Sequence, residues 1–553
     1  LQRARSAKFP ARLATSAERE VPRAGFMSVS YKKTVSSFFS SGLIRAKHKA
    51  EPRLAPRRPL HYNSTMNPHG SYTQAFGNPI APSEVRFAFF KYRMCRFLFS
   101  RDDTPVEPGA VAAGEAYNDF GMLTIVDKNK TKGKVRDIQP KHAIIIGTIR
   151  MGFGHWRIAI AMASAAKHFG YTPYLLDLTA FDGSTAQKSI RFLQYWYDVL
   201  SRVSQRWKWF NKHVWEKATS VGSRPLSASV NERILSQLFE PILELIPEDV
   251  PLLSMHPWVG HAAIMGGVKN VVSIIPDNYP MGFWLVEGSR HTVQSPSAYM
   301  GYRTLLSMDG KCKITRCLEP HTLLETGHYV DYEIVSAIER DCKRRIERMK
   351  EGKPRRFLLT MGGAGAQARR FADIIETCKT FIESAKAAFF VNMGDHAGRW
   401  KELKANLDKS GVSYTMHTDW NATKRFVKEA ETDDVYGVHV FLHDEFYAAV
   451  YLTNLLMRVS DIMITKPSEL SFYPIPKLFI QRVGKHEAWG AIRGSEMGDG
   501  TIETENTSDL HRTLATLIET DDLLEMYIKH IRQNAKAGVY DGAYNALRFA
   551  CEG

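Results

Sequence analysis

Two strand–turn–helix segments constrain the fold of this chain more than any other feature. The first runs from an apolar strand at Ala143–Gly147 into a turn with Gly152 and Gly154, and then into an alanine-rich helix. The second has the same order, with a strand at Phe357–Met361 followed by a run of glycines and a helix. Glycine permits close approach of the backbone, and a helix N-terminus presents free N–H groups to an anion. Each segment therefore predicts the opening of a Rossmann-like domain.

Short β-branched runs alternate with helical stretches after both turns, which predicts an α/β fold with parallel sheets. The predicted strands of the first half are 143–147, 173–178, 252–255, 271–276 and 292–294, and those of the second half are 357–361, 388–393, 438–442, 461–465 and 477–480. A ligand is expected in the cleft between the halves, at the carboxyl ends of the strands.

A chain of 553 residues predicts two to three domains at roughly 150 residues each. The predicted division is a basic presequence-like or extended arm at 1–82, a connector with an aromatic and basic segment at 83–140, an N-terminal Rossmann-like domain at 141–334, a polar linker at 335–355, a C-terminal Rossmann-like domain at 356–535, and a C-terminal tail or helix at 536–553.

The net charge of +16 is concentrated at the N-terminus. Residues 1–60 contain 14 Lys/Arg and 3 Asp/Glu, a net charge of +11, which leaves +5 for residues 61–553. This distribution argues against a general nucleic-acid binder. The six cysteines show no CxxC pair and no zinc-type Cys/His spacing, so we expect no metal site and a reduced compartment. The longest apolar runs fall short of the roughly 18–20 residues of a membrane-spanning helix, so none is predicted.

The segment that begins at Met27 is rich in Ser, Lys and Arg and poor in acidic residues. This composition is typical of a mitochondrial presequence, and the alternative is a disordered basic tail that is not a targeting signal. A retained arm of this composition would have to lie along a partner in a large assembly, since it buries too little apolar surface to order itself.

The first turn, with Gly152, Gly154 and His155 before the alanine helix, resembles the glycine–glycine–histidine signature of the acceptor domain of MurG and the monogalactosyldiacylglycerol synthases. The resemblance implies the GT-B fold of glycosyltransferases, two Rossmann-like domains that face a cleft. It also implies that these glycines lie on the acceptor side and that His155 is a candidate catalytic base. The alternative is a structural turn with a capping histidine.

Further segments match the same family in the same order. The Ser-x-His-Pro turn places His256 at a strand end on the acceptor side, and the acidic turn after the next strand places Asp277 near the cleft. Matches at 294–305 and 325–335 follow. Asp277 and His155 are candidates for an acid/base pair that deprotonates the acceptor hydroxyl. The alternative for Asp277 is an Asx turn.

The second turn resembles the loop by which the family's donor domain holds the diphosphate of a UDP-type nucleotide sugar. The resemblance implies a donor site of this substrate, with no covalently bound cofactor, made of Gly362, Gly363, Gly365, Gln367, Lys466, Glu469 and Glu487. Lys466 and Pro467 match the family's motif, but Ser468 and Glu469 replace its paired glycines. The ribose-binding glutamate has no clear counterpart, and Glu469 is the nearest candidate.

The stretch 190–217 is a helical segment crowded with aromatic and basic residues. Such a segment is suited to a membrane interface, and the alternative is an ordinary helix that packs on the sheet. The sequence therefore favours a glycosyltransferase that acts on a lipid or membrane-associated acceptor. Because the donor motif is degraded, a non-catalytic scaffold in a mitochondrial membrane complex, such as a respiratory or ATP-synthase assembly, stays open, as does an epimerase of the same fold.

Overall fold

The computed structural model describes residues 72–99, 104–114, 120–150, 152–207, 209, 222–363, 365, 367–482 and 484–552. The presequence interpretation of the segment from Met27, and the part of the aromatic stretch after residue 209, lie outside the described residues.

The first sheet has eight strands and is parallel except at one edge. Its strands, after a hairpin of β1 (Gln74–Ala75) and β2 (Asn78–Pro79), are β3 (Pro108–Ala112), β4 (Leu123–Asp127), β5 (Ala143–Thr148), β6 (Thr172–Asp177), β7 (Leu252–Ser254), β8 (Val271–Ile274), β9 (Arg290–Val293) and β10 (Leu323–Glu325). Their order is β10-β9-β8-β7-β5-β6-β4-β3, with β3 antiparallel to β4. The central strand β5 is buried along its whole length, as expected for a parallel sheet covered on both faces.

The second sheet has six strands, all parallel. They are β11 (Arg355–Thr360), β12 (Ala387–Asn392), β13 (Thr415–His417), β14 (Gly437–Phe441), β15 (Ile462–Thr465) and β16 (Lys477–Phe479), in the order β13-β14-β12-β11-β15-β16. Each predicted strand of both halves is present, with ends displaced by at most two residues.

The helices cover both faces of the two sheets. Around the first sheet they are α1 (Pro82–Phe99), α2 (Phe153–His168), α3 (Thr185–Arg206), α4 (Ser227–Ser236), α5 (Glu240–Leu243), α6 (Pro257–Met265) and α7 (Pro296–Arg303). The chain then forms α8 (Tyr332–Val335), α9 (Ile338–Lys350), α10 (Ala368–Thr377), α11 (Lys379–Glu383), α12 (Ala397–Ser410), α13 (Trp420–Glu429), α14 (Phe446–Val459), α15 (Ala488–Glu496), α16 (Thr507–Glu519), α17 (Asp522–Lys536) and α18 (Gly542–Cys551).

Helix α2 lies at the centre of the molecule because its small side chains let other elements approach on all sides. It shares one apolar cluster with strand β5, with Tyr447 on α14 and with Ala546 on α18. Helix α18 returns from the second domain to the first, where Asn270 donates a hydrogen bond to the carbonyl of Ala550 at 2.7 Å. The two Rossmann-like domains are thus joined along one side, and on the opposite side they face each other. This is the GT-B architecture, as predicted.

The expected connector at 83–140 differs from the structure. Its residues form α1, which packs on the first domain through Val85, Ala88 and Cys95, and the edge strands β3 and β4 of the first sheet. Residues 72–82 of the expected arm also belong to the fold, since Tyr72, Ala75 and Ile80 are buried. Short edge strands flanked by charged residues give a weak sequence pattern, which explains the difference.

The expected linker at 335–355 is mostly helix α9, which is half-buried. The charged residues of this helix do not indicate its packing in the sequence, because two of its arginines are buried and hydrogen-bonded to the second domain. Arg345 donates to the carbonyls of Ser460 and Met457 at 2.9 Å each, and Arg348 pairs with the buried Asp461 at 2.6 Å. A buried arginine with such partners does not resemble an apolar core position in sequence.

Candidate functional site

The two glycine turns are in direct backbone contact across the cleft. Gly152 is the N-cap of α2 and has φ 104, a conformation that favours glycine. A Cβ atom on Gly363 would lie 2.6 Å from the Cα of Gly152 and 2.7 Å from the backbone nitrogen of Phe153. The turn of the second domain, which is predicted to hold the diphosphate, therefore lies against the first N–H groups of α2.

His155 and His256 meet on the first-domain side of the cleft. His155 lies in the first turn of α2, and His256 is the N-cap of α6, where its Nδ1 accepts a hydrogen bond from the nitrogen of Trp258 at 3.2 Å. The two rings stand edge to face, with centroids 5.1 Å apart. The predicted placement of His256 at a strand end is what the structure shows, because β7 ends at Ser254.

Burial keeps both histidines neutral. Desolvation lowers the pKa of His155 to about 4, although an interaction with the backbone of Met255 favours the charged ring. The pKa of His256 lies well below its usual value, first through burial and then through the neighbouring His155 and His261. A neutral imidazole can accept a proton, so both rings are in the form that a base requires at neutral pH.

Asp277 lies near the histidines but is held by a tryptophan. The Nε1 atom of Trp284 donates a hydrogen bond to Oδ2 of Asp277 at 2.9 Å, and the Trp284 ring lies 5.7 Å from that of His155. Within the described residues, no hydrogen bond or ion pair joins His155 to Asp277 directly. Burial raises the pKa of Asp277, and the negative charges of Glu487 and Glu469 raise it further. The interaction with His486 and the hydrogen bond from Trp284 lower it, but by less.

The second domain contributes Lys466 at the end of β15. Its ammonium group forms an ion pair with Glu487 and lies beside Gly362, since a Cβ atom there would be 3.5 Å from the lysine Cε. Burial opposes the charged form of Lys466, but the pairing with Glu487 outweighs it and the pKa is raised. The other carboxylate oxygen of Glu487 accepts a hydrogen bond from the nitrogen of Gly484 at 3.1 Å. Glu487 thus forms a hydrogen bond within its own loop and an ion pair with Lys466.

Glu469 reaches the first domain instead of the donor side. Its Oε2 atom would lie 3.0 Å from a Cβ atom on Gly154, and its Oε1 atom is 3.7 Å from the Nε atom of Arg157. Arg157 is almost completely buried on α2 and donates to Oδ1 of Asn454 at 2.9 Å. The carboxylate of Glu469 therefore stands beside the glycine turn of α2, in the position of an anion at a helix N-terminus.

The remaining predicted donor residues lie on either side of this contact. The carbonyl of Gly362 faces Nε2 of His396 at 3.0 Å, and a Cβ atom on Gly365 would meet the same ring at 3.3 Å. Gln367 is the N-cap of α10 and donates to the carbonyl of Gln481 at 3.2 Å. The structure thus brings the predicted residues of both domains to one cleft, with Gln367 at its margin.

Sequence reasoning missed Arg157 and Trp284. Arg157 could have been found from its sequence position, because it is the one basic residue between His155 and Lys167 in a helix otherwise made of apolar and small residues. Trp284 has no such signal, since it lies in a short 3-10 helix at Gly282–Trp284 whose fold depends on distant contacts.

Two classes of site are not found in the described part of the chain. No group of three or more His, Cys, Asp or Glu side chains is arranged to hold a metal ion there. Nor does any helix in those ranges combine the length and apolarity that crossing a membrane requires.

Two family models match consecutive parts of the chain. Residues 74–304 match DUF6937, and residues 318–551 match DUF6938, each described as a domain of unknown function. Residues 305–317, between α7 and β10, separate the two matches. A search of curated proteins finds no match.

Solved structures with a similar course of the chain include nucleotide-sugar enzymes. UDP-GlcNAc 2-epimerase from Neisseria meningitidis shares 11% identity at a TM-score of 0.34, with 74% of this chain and 100% of that chain covered. A glycosyltransferase from Rickettsia africae shares 12% identity at a TM-score of 0.37, with 74% of this chain and 98% of that chain covered. The MnaA protein of S. aureus, in a structure with UDP, shares 12% identity at a TM-score of 0.38, with 74% of this chain and 94% of that chain covered. Similarity at this level implies nothing about the activity of this chain.

Proposed function

We propose that the protein is a glycosyltransferase that transfers a sugar from a UDP-type nucleotide sugar to a lipid or membrane-associated acceptor. The observation that supports it best is the convergence of ionisable side chains from both domains on one cleft between two glycine turns. His155, His256 and Asp277 come from the first domain, and Lys466 and Glu487 come from the second. Perturbed ionisable groups gathered in a cleft are typical of catalytic sites.

In this proposal His155 is the base. The acceptor hydroxyl attacks the anomeric carbon, the bond from that carbon to the diphosphate breaks, and the hydroxyl proton passes to the neutral imidazole. Asp277 acts as a positioning residue through Trp284, whose N–H it holds and whose indole ring lies against the His155 ring. The nucleoside diphosphate is the leaving group.

The diphosphate would lie along the turn of Gly362, Gly363 and Gly365, with Lys466 as its counter-charge. Lys466 is paired with Glu487, so phosphate oxygens would replace a carboxylate at the ammonium group. This exchange keeps the buried lysine neutralised in both states, which is the condition for burying a charge at low cost.

The acceptor side fits a membrane-bound substrate, in keeping with the resemblance to MurG and the diacylglycerol glycosyltransferases. Helix α3 carries Tyr195, Trp196 and Tyr197 in exposed positions. Tyr197 is close enough to Lys466 to influence its pKa, which places this aromatic segment near the cleft. An acceptor held at an interface would thus be near the donor turn.

Calorimetric titration with UDP-, GDP- and ADP-sugars tests the proposal. We expect one UDP-sugar to bind, and Lys466→Met to weaken its affinity by at least tenfold through loss of the counter-charge. Lys529→Met is the matched control, because Lys529 is an exposed lysine of the same domain on α17. If none of the nucleotide sugars binds the full chain, the proposal is wrong.

A second function is favoured by the same cleft, namely a non-catalytic scaffold in a mitochondrial membrane assembly. Glu487 pairs with Lys466, so a carboxylate of the chain itself occupies the position that a donor's phosphate would take, and Glu469 lies beside Gly154 of the first domain. Purification of the native protein separates the two. Quantitative migration with a large complex, without a free pool, supports the scaffold, and turnover of a nucleotide sugar contradicts it. Product analysis would separate an epimerase from a transferase.

A further inference from the structure

Helices α1 and α3 carry an unusual number of exposed aromatic side chains. Phe97 is 90% exposed, and Phe87, Phe90, Tyr195 and Trp196 are each about half exposed or more. Large apolar side chains that cluster at the surface of a soluble fold mark an interaction site. We call the exposed face of α1 together with α3 the aromatic–basic face.

Helix α1 is divided between a buried and an exposed side. Val85, Ala88 and Cys95 are buried in the first domain, whereas Phe87, Phe90 and Phe97 point outward at helical spacing. The rings of Phe87 and Phe90 lie 6.4 Å apart, and the ammonium group of Lys91 is 5.4 Å from the Phe87 ring centre. The exposed side of this helix is therefore an apolar stripe covered by no other described element.

Arginines are interleaved with this stripe. Arg86 and Arg93 are exposed on the same side of α1, and neither makes an ion pair within the described residues. Helix α3 lies next to α1, since the rings of Phe99 and Phe192 are 5.6 Å apart. It adds the exposed residues Lys188 and Arg191 beside its own aromatic side chains. Both helices thus present the same mixture of rings and cations.

Positive charge outside the N-terminal arm is concentrated here. Helices α1 and α3 contain eight Lys/Arg and two acidic residues, a net charge of +6. Residues 61–553 as a whole carry +5, so the part of this range outside the two helices carries a net charge of −1. A local excess of this size is a property of the two helices and not of the composition of the domain.

We propose that the aromatic–basic face binds the surface of an anionic lipid bilayer. Aromatic side chains insert at the level of the headgroups, and Lys and Arg attract anionic lipids, so the two features act together. The near absence of acidic residues argues against a second copy of this chain, because two such faces would repel each other. The aromatic content exceeds what a purely phosphate-binding surface needs.

The face also explains how an acceptor would reach the cleft. Tyr197, on the same stretch of α3 as Tyr195 and Trp196, is near enough to Lys466 to influence the pKa of that lysine. A bilayer bound at this face would therefore lie on the side of the first domain that is near Lys466. This part rests on the proposed glycosyltransferase function, whereas membrane binding itself does not require a nucleotide sugar.

Co-sedimentation of the full chain with vesicles tests the proposal without any nucleotide sugar. We expect binding to vesicles of phosphatidylcholine with 30% phosphatidylglycerol, and at least tenfold weaker binding to phosphatidylcholine alone. The double variant Phe87→Ser, Phe97→Ser and the double variant Arg86→Gln, Arg93→Gln should each weaken binding to the anionic vesicles by at least tenfold. These side chains are exposed, so thermal unfolding should be unchanged.

Ile502→Ser is the matched control for the aromatic pair, because Ile502 is 75% exposed on the second domain. Lys529→Gln is the control for the arginine pair. If all variants sediment like the wild type, the basic N-terminal arm or another surface binds the lipid and the proposal is wrong. It is also wrong if the wild type self-associates in size-exclusion chromatography with light scattering and Phe87→Ser, Phe97→Ser abolishes this. Vesicle binding without nucleotide-sugar binding would support this inference and contradict the proposed function.

Discussion

Replacing Gly363 by alanine perturbs the contact between the two glycine turns. The new Cβ atom would stand 2.6 Å from the Cα of Gly152 and 2.7 Å from the nitrogen of Phe153, both of them backbone atoms. Ordinary carbon contacts need about 3.5 Å, so the turns must separate by roughly 1 Å. No rotation of a side chain can relieve such a clash. Overpacking of this kind costs about 1–3 kcal/mol, and we expect Gly363→Ala to destabilise the closed cleft by an amount in this range.

Hydrogen exchange detected by mass spectrometry measures the effect where it arises. We expect faster exchange in peptides that contain the first turn of α2, and a fall in transferase kcat on the order of 100-fold, since a displacement of about 1 Å can misalign reacting groups to that extent. Gly398→Ala on α12 is the control, because no heavy atom lies within 4 Å of its Cβ position. If Gly363→Ala matches the wild type in exchange and in kcat, the turns are not in functional contact.

Two further variants test the site, and a third tests Asp331, the buried N-cap residue of α8 that accepts a hydrogen bond from Tyr473. His155→Gln should lower kcat by about 10²–10⁴-fold and leave nucleotide-sugar affinity within about twofold, as calorimetry would show; a normal kcat excludes His155 as the base. Glu469→Gln removes a negative charge beside Gly154 and should raise nucleotide-sugar affinity about tenfold, whereas a fall in affinity would identify Glu469 as a ligand of the ribose. Burial raises the pKa of Asp331 from 3.8 to about 7, so the folded state binds a proton that the unfolded state has lost between pH 4 and 7. Stability therefore falls as pH rises through this window, by at most about 1.4 kcal/mol per pH unit. Asp331→Asn should unfold at a higher temperature than the wild type at pH 8 but not at pH 4, and equal melting temperatures at pH 8 would contradict this.

The sequence predicts the fold well because strand patterns in a parallel sheet are local. Strands such as β5 and β12 are continuous apolar runs bounded by turns, and each appears within two residues of its predicted place. The edge strands β3 and β4 escaped prediction for the opposite reason. They are short, lie among charged residues and are held by pairing with a strand that comes later in the chain. Pairing of that kind has no local signature.

The sequence predicts candidate site residues but not the contacts between them. Motif positions predict His155, Asp277 and Lys466, and their roles stay predictions. Which carboxylate faces which cation depends on side-chain packing between domains, and the resemblance gave no information on it. Sequence order therefore placed Glu469 on the donor side, although in the structure it contacts Gly154 and Arg157 of the first domain.

Ser468 and Glu469, which stand where the resembled motif has paired glycines, begin a short helix in the structure. Ser468 caps the short 3-10 helix at Glu469–Phe472 by accepting from the nitrogen of Leu470 at 3.3 Å, while Ser471 accepts from the nitrogen of Ser468 at 3.1 Å. The family's paired glycines would lack the hydroxyl that makes this cap. Ser468 therefore fixes the start of the 3-10 helix that carries Glu469, whose Oε1 atom is 3.7 Å from the Nε atom of Arg157. The contact of Glu469 with Gly154 and Arg157 thus joins the two domains at the N-terminus of α2.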